Sequence, residues 1–547
     1  MWTRNLLFLA LSATGLLALG ASLSPQYKPI EVKKLDAATA GSHGLSADLA
    51  TVVERIDASF RQDWQSRGLR PAPRADQLTI ARRLSLALAG TIPSLEEIRR
   101  LEATPEDARL NAWVSTLLAD PRHHSYFAER LARAYVGVQT GKIFLYRRRR
   151  FTTWLAEQIR DQRPYDALVR ELISSSGQPT SEPAINFLSV TIKPDSTIYH
   201  VDEKEMAARV SRAFLGVRID CAECHNHPFE PWKQADFQGL AAYFRDAEQK
   251  YGGIRDMDGK FQIEDRVSGK MLTIEPRVPF QSELLPAKGS DRQRLAAWVT
   301  DPHNKRFSQA IANRIWTLMF DRGLVEPIDD IRSGQKISPA LEILANDFAA
   351  HGFSLRRMIT IICACEVFQL DSRNDPGKSD DEITPAQEEA WAVFPIRRLR
   401  PEQIVGAINQ AASLTTLDQD SHLLLRAIAF KDENDFIRRY GDQGDDELAD
   451  AGGTIPQRLL MMNGNLVNDR TKYNLIMNAS SRIATLAPDD ATAIETAYLA
   501  TLSRRPTAPE AAHFTARLAD VKQNARRQRI EDLYWDLLNS AEFSWNH

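Results

Sequence analysis

Cysteine is scarce, with four in 547 residues, far below the density of the disulfide-stapled scaffolds of small exported domains. An excess of positive charge is also missing: 69 Lys and Arg stand against 72 Asp and Glu, a net charge of −3. Wrapping a phosphate backbone needs a basic surplus, so nucleic acid is not an expected partner. No self-similar period runs through the chain, which argues against a solenoid or propeller. After residue 21 no apolar stretch approaches the roughly twenty residues that a membrane span requires.

What is present is an ordinary globular composition, 43% hydrophobic and 26% charged, on a chain too long for a single core. The first 21 residues are the exception. Met1-Trp2-Thr3-Arg4-Asn5 supplies a charged start and Leu6 to Ala21 a short apolar run, the pattern of an export signal or of an N-terminal anchor that would allow membrane association. The expected location is the periplasm or the outer face of the cytoplasmic membrane. Residues 22–44 read as a polar linker.

Beyond it, apolar residues recur at three- and four-residue spacing over 45–64, 78–88, 105–118, 124–136 and 151–173, with breaks at Asp120-Pro121 and Arg163-Pro164. Ser94 with Glu97 three residues on marks a helix start. Arg147 to Arg150 is the one dense charge run, read as a solvated helix start rather than a docking patch. Helical patterns return at 295–299, 307–320, 339–351 and 355–370, and continue to 543. Between the halves, Gly252-Gly253 and Asp258-Gly259 with alternating Phe261 and Ile263 suggest a β-hairpin insert. The expected fold is therefore mainly α, two helical domains (45–250 and 287–547) separated by a hairpin insert and connection at 251–286, the hairpin lying near residues 251–274. Cys363 and Cys365 fall in an apolar helical run. Residues two apart on a helix point in different directions, so they are read as packed thiols.

The other two cysteines carry chemistry. Cys221-Ala222-Glu223-Cys224-His225 is the haem c attachment pattern. Two intervening residues let both sulfurs reach the vinyl groups on one porphyrin edge as thioethers. The histidine directly after the second cysteine is then placed beneath the iron as the proximal ligand. The competing reading is zinc, held by Cys221, Cys224 and His227 with a distant fourth donor such as Cys363 or Cys365; no second ligand pair follows at zinc spacing. The far side of the iron has four candidate ligands, His200 and Met206 upstream and Met257 and Met271 in the insert, each with a plain structural alternative. His227, Phe229 and Trp232 are expected to wall the haem. Phe237, Tyr243 and Phe244 could pack on the porphyrin or form an ordinary aromatic core. Helical patterns lead into the motif (206–215) and away from it (237–244).

These residues, with their flanks, resemble a known family. Phe214-Leu215-Gly216-Val217-Arg218-Ile219-Asp220 before the motif and His227-Pro228-Phe229-Glu230-Pro231-Trp232 after it are similar to the hallmark of the first domain of the large planctomycete-type cytochrome c-like proteins. In that family a cytochrome-like domain of unknown function precedes a helical companion domain of unknown function. Asp301-Pro302-His303-Asn304, Asn313-Arg314-Ile315-Trp316, residues 323–330, His351-Gly352-Phe353 and the ending 537–543 resemble the second domain. The resemblance implies export and a cytochrome role, but no substrate. Many relatives add a separate small cytochrome domain; this chain has one attachment motif, so electrons would have to pass to a partner. The expectation is an exported mono-haem protein transferring electrons to or from a partner oxidoreductase. Two alternatives stand beside it: a haem-dependent enzyme using His227 and Glu230 for proton transfer, and a non-redox zinc or structural binding module.

Overall fold

The computed structural model describes residues 45–137, 146–192, 199–264, 269–375, 382–418, 421, 436, 455–521 and 523–547. Among them the chain is mainly helical, as its apolar spacing predicts. The N-terminal signal-like segment and the linker at 22–44 lie outside the described residues. Among the described residues no helix is long and apolar enough to cross a membrane.

Local chemistry sets most helix ends. Ser46 accepts the N–H of Leu49 to start helix Ala47–Arg67, which Gly68 closes in the left-handed conformation. Ser94 and Glu97 form the anticipated reciprocal cap, with the Ser94 N–H donating to Glu97 Oε2 at 2.8 Å. Asp120 and Pro121 open helix Pro121–Val136. Helix Arg109–Ala119 begins four residues later than the pattern suggested, because 105–108 is a turn closed by Ala108 N–H to Pro105 O. The arginine run heads helix Arg148–Arg160: Arg148 pairs with Glu129 at 2.5 Å, and Arg147, Arg149 and Arg150 are exposed.

Two departures have tertiary causes. The single helix expected over 355–370 is two, Leu355–Ala364 and Glu366–Gln369, with Cys365 extended between them. The Glu366 N–H freed by the break donates to Asp57 Oδ1 at 2.8 Å, a partner 309 positions away in sequence. Cys363 and Cys365 are both buried, and burial pushes both thiols well above the ordinary range, so they are packed as expected.

The insert is two hairpins, not one. Strands β1 (Tyr199–His200), β2 (Ala247–Lys250) and β3 (Gly253–Asp256) form an antiparallel sheet in that order, turning at Tyr251-Gly252, while β4 (Gln262–Glu264) pairs with β5 (Met271–Thr273). The first hairpin thus starts at Ala247, ahead of the expected boundary. Ala-Glu-Gln-Lys has no strand preference of its own; pairing on both sides makes it one.

The apolar core does not break at the 251–286 connection. One cluster extends from Val52 to Phe394, with Phe60 stacked at 6.0 Å on Trp316 and Tyr165 at 5.3 Å on Phe307. A second cluster runs from Leu399 to Phe543 and takes in Leu86 and Ile92 from the first half. Arg83 sits between them, fully buried, donating to Leu370 O at 2.6 Å and His547 O at 2.7 Å, with its guanidinium 3.7 Å from the centroid of the Phe394 ring.

Asp57, 6% exposed in the first core, has its carboxyl pushed up to about 6, chiefly by burial. An acid whose folded pKa is raised favours the fold below its unfolded value near 3.8, and loses that contribution as pH rises to about 6. Replacement Asp57→Asn keeps an acceptor for Glu366 and removes the buried charge. It is expected to stabilise the protein at pH 7 by up to about 3 kcal/mol. In thermal melts the gap between variant and wild type should close on acidification to pH 4; a gap independent of pH would count against this account.

Candidate functional site

Helix Glu203–Val210 leads into the motif. Asp202 caps it, accepting from the N–H groups of Lys204 and Glu205, and Met206, Ala207 and Val210 face the core. The helix widens into a π turn over Ser211–Leu215 and stops at Gly216, whose φ of +59° suits glycine. A Cβ there would also lie 3.3 Å from Ala310 Cβ, on helix Lys305–Phe320.

That neighbour braces the turn. Arg314 Nη1 donates to Ala213 O at 2.7 Å, Ile331 N–H donates to Gly216 O at 2.7 Å, and Arg218 Nε lies 3.0 Å from both carboxylate oxygens of Asp329. The loop after the helix is itself pinned by Asn313, which donates to Val325 O at 2.7 Å and accepts from Val325 N–H at 3.0 Å. The motif therefore stands on a base built from both halves of the chain.

Asp220–Ala222 is a 3-10 turn, and Glu223 continues it in right-handed helical backbone. Cys221 lies within this turn and Cys224 just past its end. Both are exposed and neither is in a disulfide. Ala222, fully buried, is the foot of the turn. Asp220 is held by Arg212 and Glu223 by Lys204 at 3.1 Å. Gln234 Nε2 donates to the carbonyls of Glu223 and Cys224, both at 3.2 Å, and Gln234 N–H donates to Asn226 Oδ1 at 3.0 Å.

The two histidines have different states. His225 is exposed, and its Nδ1 lies 2.7 Å from Asn226 O. A carbonyl can only accept, so Nδ1 carries the proton and Nε2 presents a free lone pair, the usual arrangement of an imidazole ligand oriented by its other nitrogen. His227 is reversed: its Nδ1 accepts from the N–H groups of Phe229 and Glu230 at 3.2 and 3.0 Å, which places its proton on Nε2. With His227 N–H to Trp232 O at 2.8 Å, this closes the loop 227–232. Glu230 is engaged too, Oε2 accepting from Ser333 N–H at 2.9 Å.

Of the expected wall residues, Phe229 is 91% exposed beside the motif, while Trp232 is buried against Phe280. Phe237, Tyr243 and Phe244 are fully buried; they belong to the ordinary aromatic core. The four upstream and downstream ligand candidates sit on separate elements. Met206 is wholly buried on its helix, His200 lies on β1 with Nδ1 4.0 Å from Glu248, and Met257, just past β3, and Met271, on β5, are exposed. For zinc, Cys363 and Cys365 are held in the core, and among the described residues no three His, Cys, Asp or Glu side chains form a group that could hold a metal ion. The donor types, two free exposed thiols three residues apart and an exposed imidazole whose Nδ1 is engaged by Asn226 O, are those a covalently attached haem would need.

Sequence reasoning missed Asn226, Gln234, Arg218 and Asp329. Asn226 orients His225 through its main chain, which no side-chain pattern announces. Arg218 and Asp329 both fall in the blocks singled out above, but nothing in the sequence links them. Replacing either by Ala is expected to destabilise the protein by about 1 kcal/mol, with a coupling energy of at least about 0.5 kcal/mol in a double-mutant cycle. Strict additivity would mean that the pair is not a brace.

Residues 55–249 match the family model described as PSCyt2, protein of unknown function (DUF1549), and residues 291–429 match that described as PSD1, protein of unknown function (DUF1553). No curated protein and no solved structure matches the chain. The motif-bearing half and its brace thus correspond to two named domains, and the chain carries PSCyt2 followed by PSD1, both of unknown function.

Proposed function

We propose that this chain is an exported, mono-haem c-type cytochrome-like protein that passes single electrons to or from a partner oxidoreductase. The observation that carries the reading is the presentation of Cys221, Cys224 and His225: both thiols free and exposed, one within a 3-10 turn and one just past it, and the imidazole held by Asn226 O through Nδ1. A haem held there would supply an iron that alternates between two oxidation states. The residues of the chain do the rest. The two sulfurs would hold the group covalently and His225 Nε2 would ligate its iron. The Asn226 carbonyl, accepting from Nδ1, orients the ring and strengthens its donor nitrogen. Ala222 and the Arg218–Asp329 pair keep the turn from shifting. Export rests on the charged start and apolar run of residues 1–21. His227 and Glu230 hold backbone N–H groups, which assigns them to loop architecture and leaves direct substrate chemistry without a specific observation in its favour.

The test is production of the full chain with a haem c maturation system. One haem per chain is expected, with a sharp reduced α band and colour that survives acid-acetone extraction. Cys221→Ala with Cys224→Ala should abolish covalent haem, and His225→Ala should remove the proximal ligand and alter the reduced spectrum. A colourless protein whose two thiols remain fully alkylatable after maturation would overturn the proposal.

A further inference from the structure

The loop that closes the motif has a second face. Beyond Trp232 it borders an open cleft of about 440 Å³ whose other side is the head of helix Lys305–Phe320. Trp232 and Phe280 form its apolar wall, their ring centroids 6.2 Å apart at 49°. Lys305 and Arg306 supply its charge. The Arg306 guanidinium lies 5.4 Å from the Trp232 ring and 5.7 Å from the Phe280 ring. Its hydrogen bonds go to neutral acceptors, Ile331 O at 3.0 Å and Ser333 Oγ at 3.3 Å.

Among the described residues the acids nearby form no ion pair with this charge. Asp236, also lining the cleft, is taken by Arg277 at 2.6 Å. Glu230 and Asp330 face Arg306 through space, and Glu230 is committed to the Ser333 N–H. Among the described residues no carboxylate lies within 4 Å of Arg306 or of Lys305. Burial is the largest influence on Arg306 and lowers its proton affinity, with Glu230 and Asp330 opposing it through space. Aromatic faces beside an unpaired guanidinium and ammonium complement an anion on a flat apolar body.

We propose that this cleft binds a carboxylate carried on a planar apolar body, the carboxylate on Lys305 and Arg306 and the body against Trp232 and Phe280. Two sources share that chemistry: the propionate edge of a haem held at Cys221 and Cys224, which rests on the function proposed above, and a free aromatic carboxylate, which does not. The cleft is close to the thiols along the chain, since Trp232 O accepts from His227 N–H and Gln234 reaches the Cys224 carbonyl.

Two arms separate the sources. In the first, benzoate is titrated calorimetrically into the full chain carrying Cys221→Ser and Cys224→Ser, which cannot hold haem. Free-ligand binding would be saturable, weakened at least tenfold by Arg306→Gln and by Lys305→Gln, and retained by Lys305→Arg. In the second, the reduction potential of the matured holoprotein is followed against pH. Propionate binding predicts that Lys305→Gln lowers the potential and shifts its pH dependence, and that Lys305→Arg restores both. Lys305 is exposed, so its variants keep the test independent of folding. A response in either arm supports the site and names its source. Benzoate that binds wild type and variants alike, or not at all, together with a potential indifferent to Lys305, overturns it. Should no haem attach, the benzoate titration decides alone.

Discussion

The Ile331 N–H to Gly216 carbonyl bond, with the Arg218–Asp329 pair beside it, is the constraint on which the rest of the site depends. A single 3-10 turn has no stability of its own, because nucleating a helical turn orders several residues for one hydrogen bond. The turn bearing Cys221 and Cys224 is held from below by residues of the other half of the chain. The π turn before it is a wide, poorly bonded piece of helix, and Arg314 satisfies a carbonyl there that would otherwise be buried without a partner, at a cost of about 1–3 kcal/mol. Remove the brace and the segment carrying the two sulfurs loses its support.

This explains why two sets of residues that look unrelated in the sequence belong together. Residues 214–220 and 323–330 read as signatures of separate domains. In the fold they touch, and the apolar core is continuous across them from Val52 to Phe394. The second cluster, from Leu399 onward, joins through Leu86, Ile92 and the buried Arg83.

What could be read in advance follows a physical division. Ser94 with Glu97, and Asp120 with Pro121, act through neighbours three or four positions away, so those helix starts were visible. The spacing of Cys221, Cys224 and His225 is equally local. The break at Cys365 was invisible because its compensating acceptor, Asp57, comes from helix Ala47–Arg67, 309 positions away in sequence. Strand β2 was invisible because Ala-Glu-Gln-Lys becomes a strand only between β1 and β3. The cleft at Arg306 was hidden for the same reason, since Trp232, Phe280 and the two cations come from the first half, the connection and the second half, and none announces a pocket alone.

The separation between the thiols and their brace also orders events in time. Arg218 and Asp329 are 111 positions apart, and a ribosome adding about 5–20 residues per second needs several seconds or more to cover that interval. During it the nascent Cys221 and Cys224 emerge on a chain that lacks its support. The segment carrying those sulfurs therefore stays pliant until the downstream half arrives and docks.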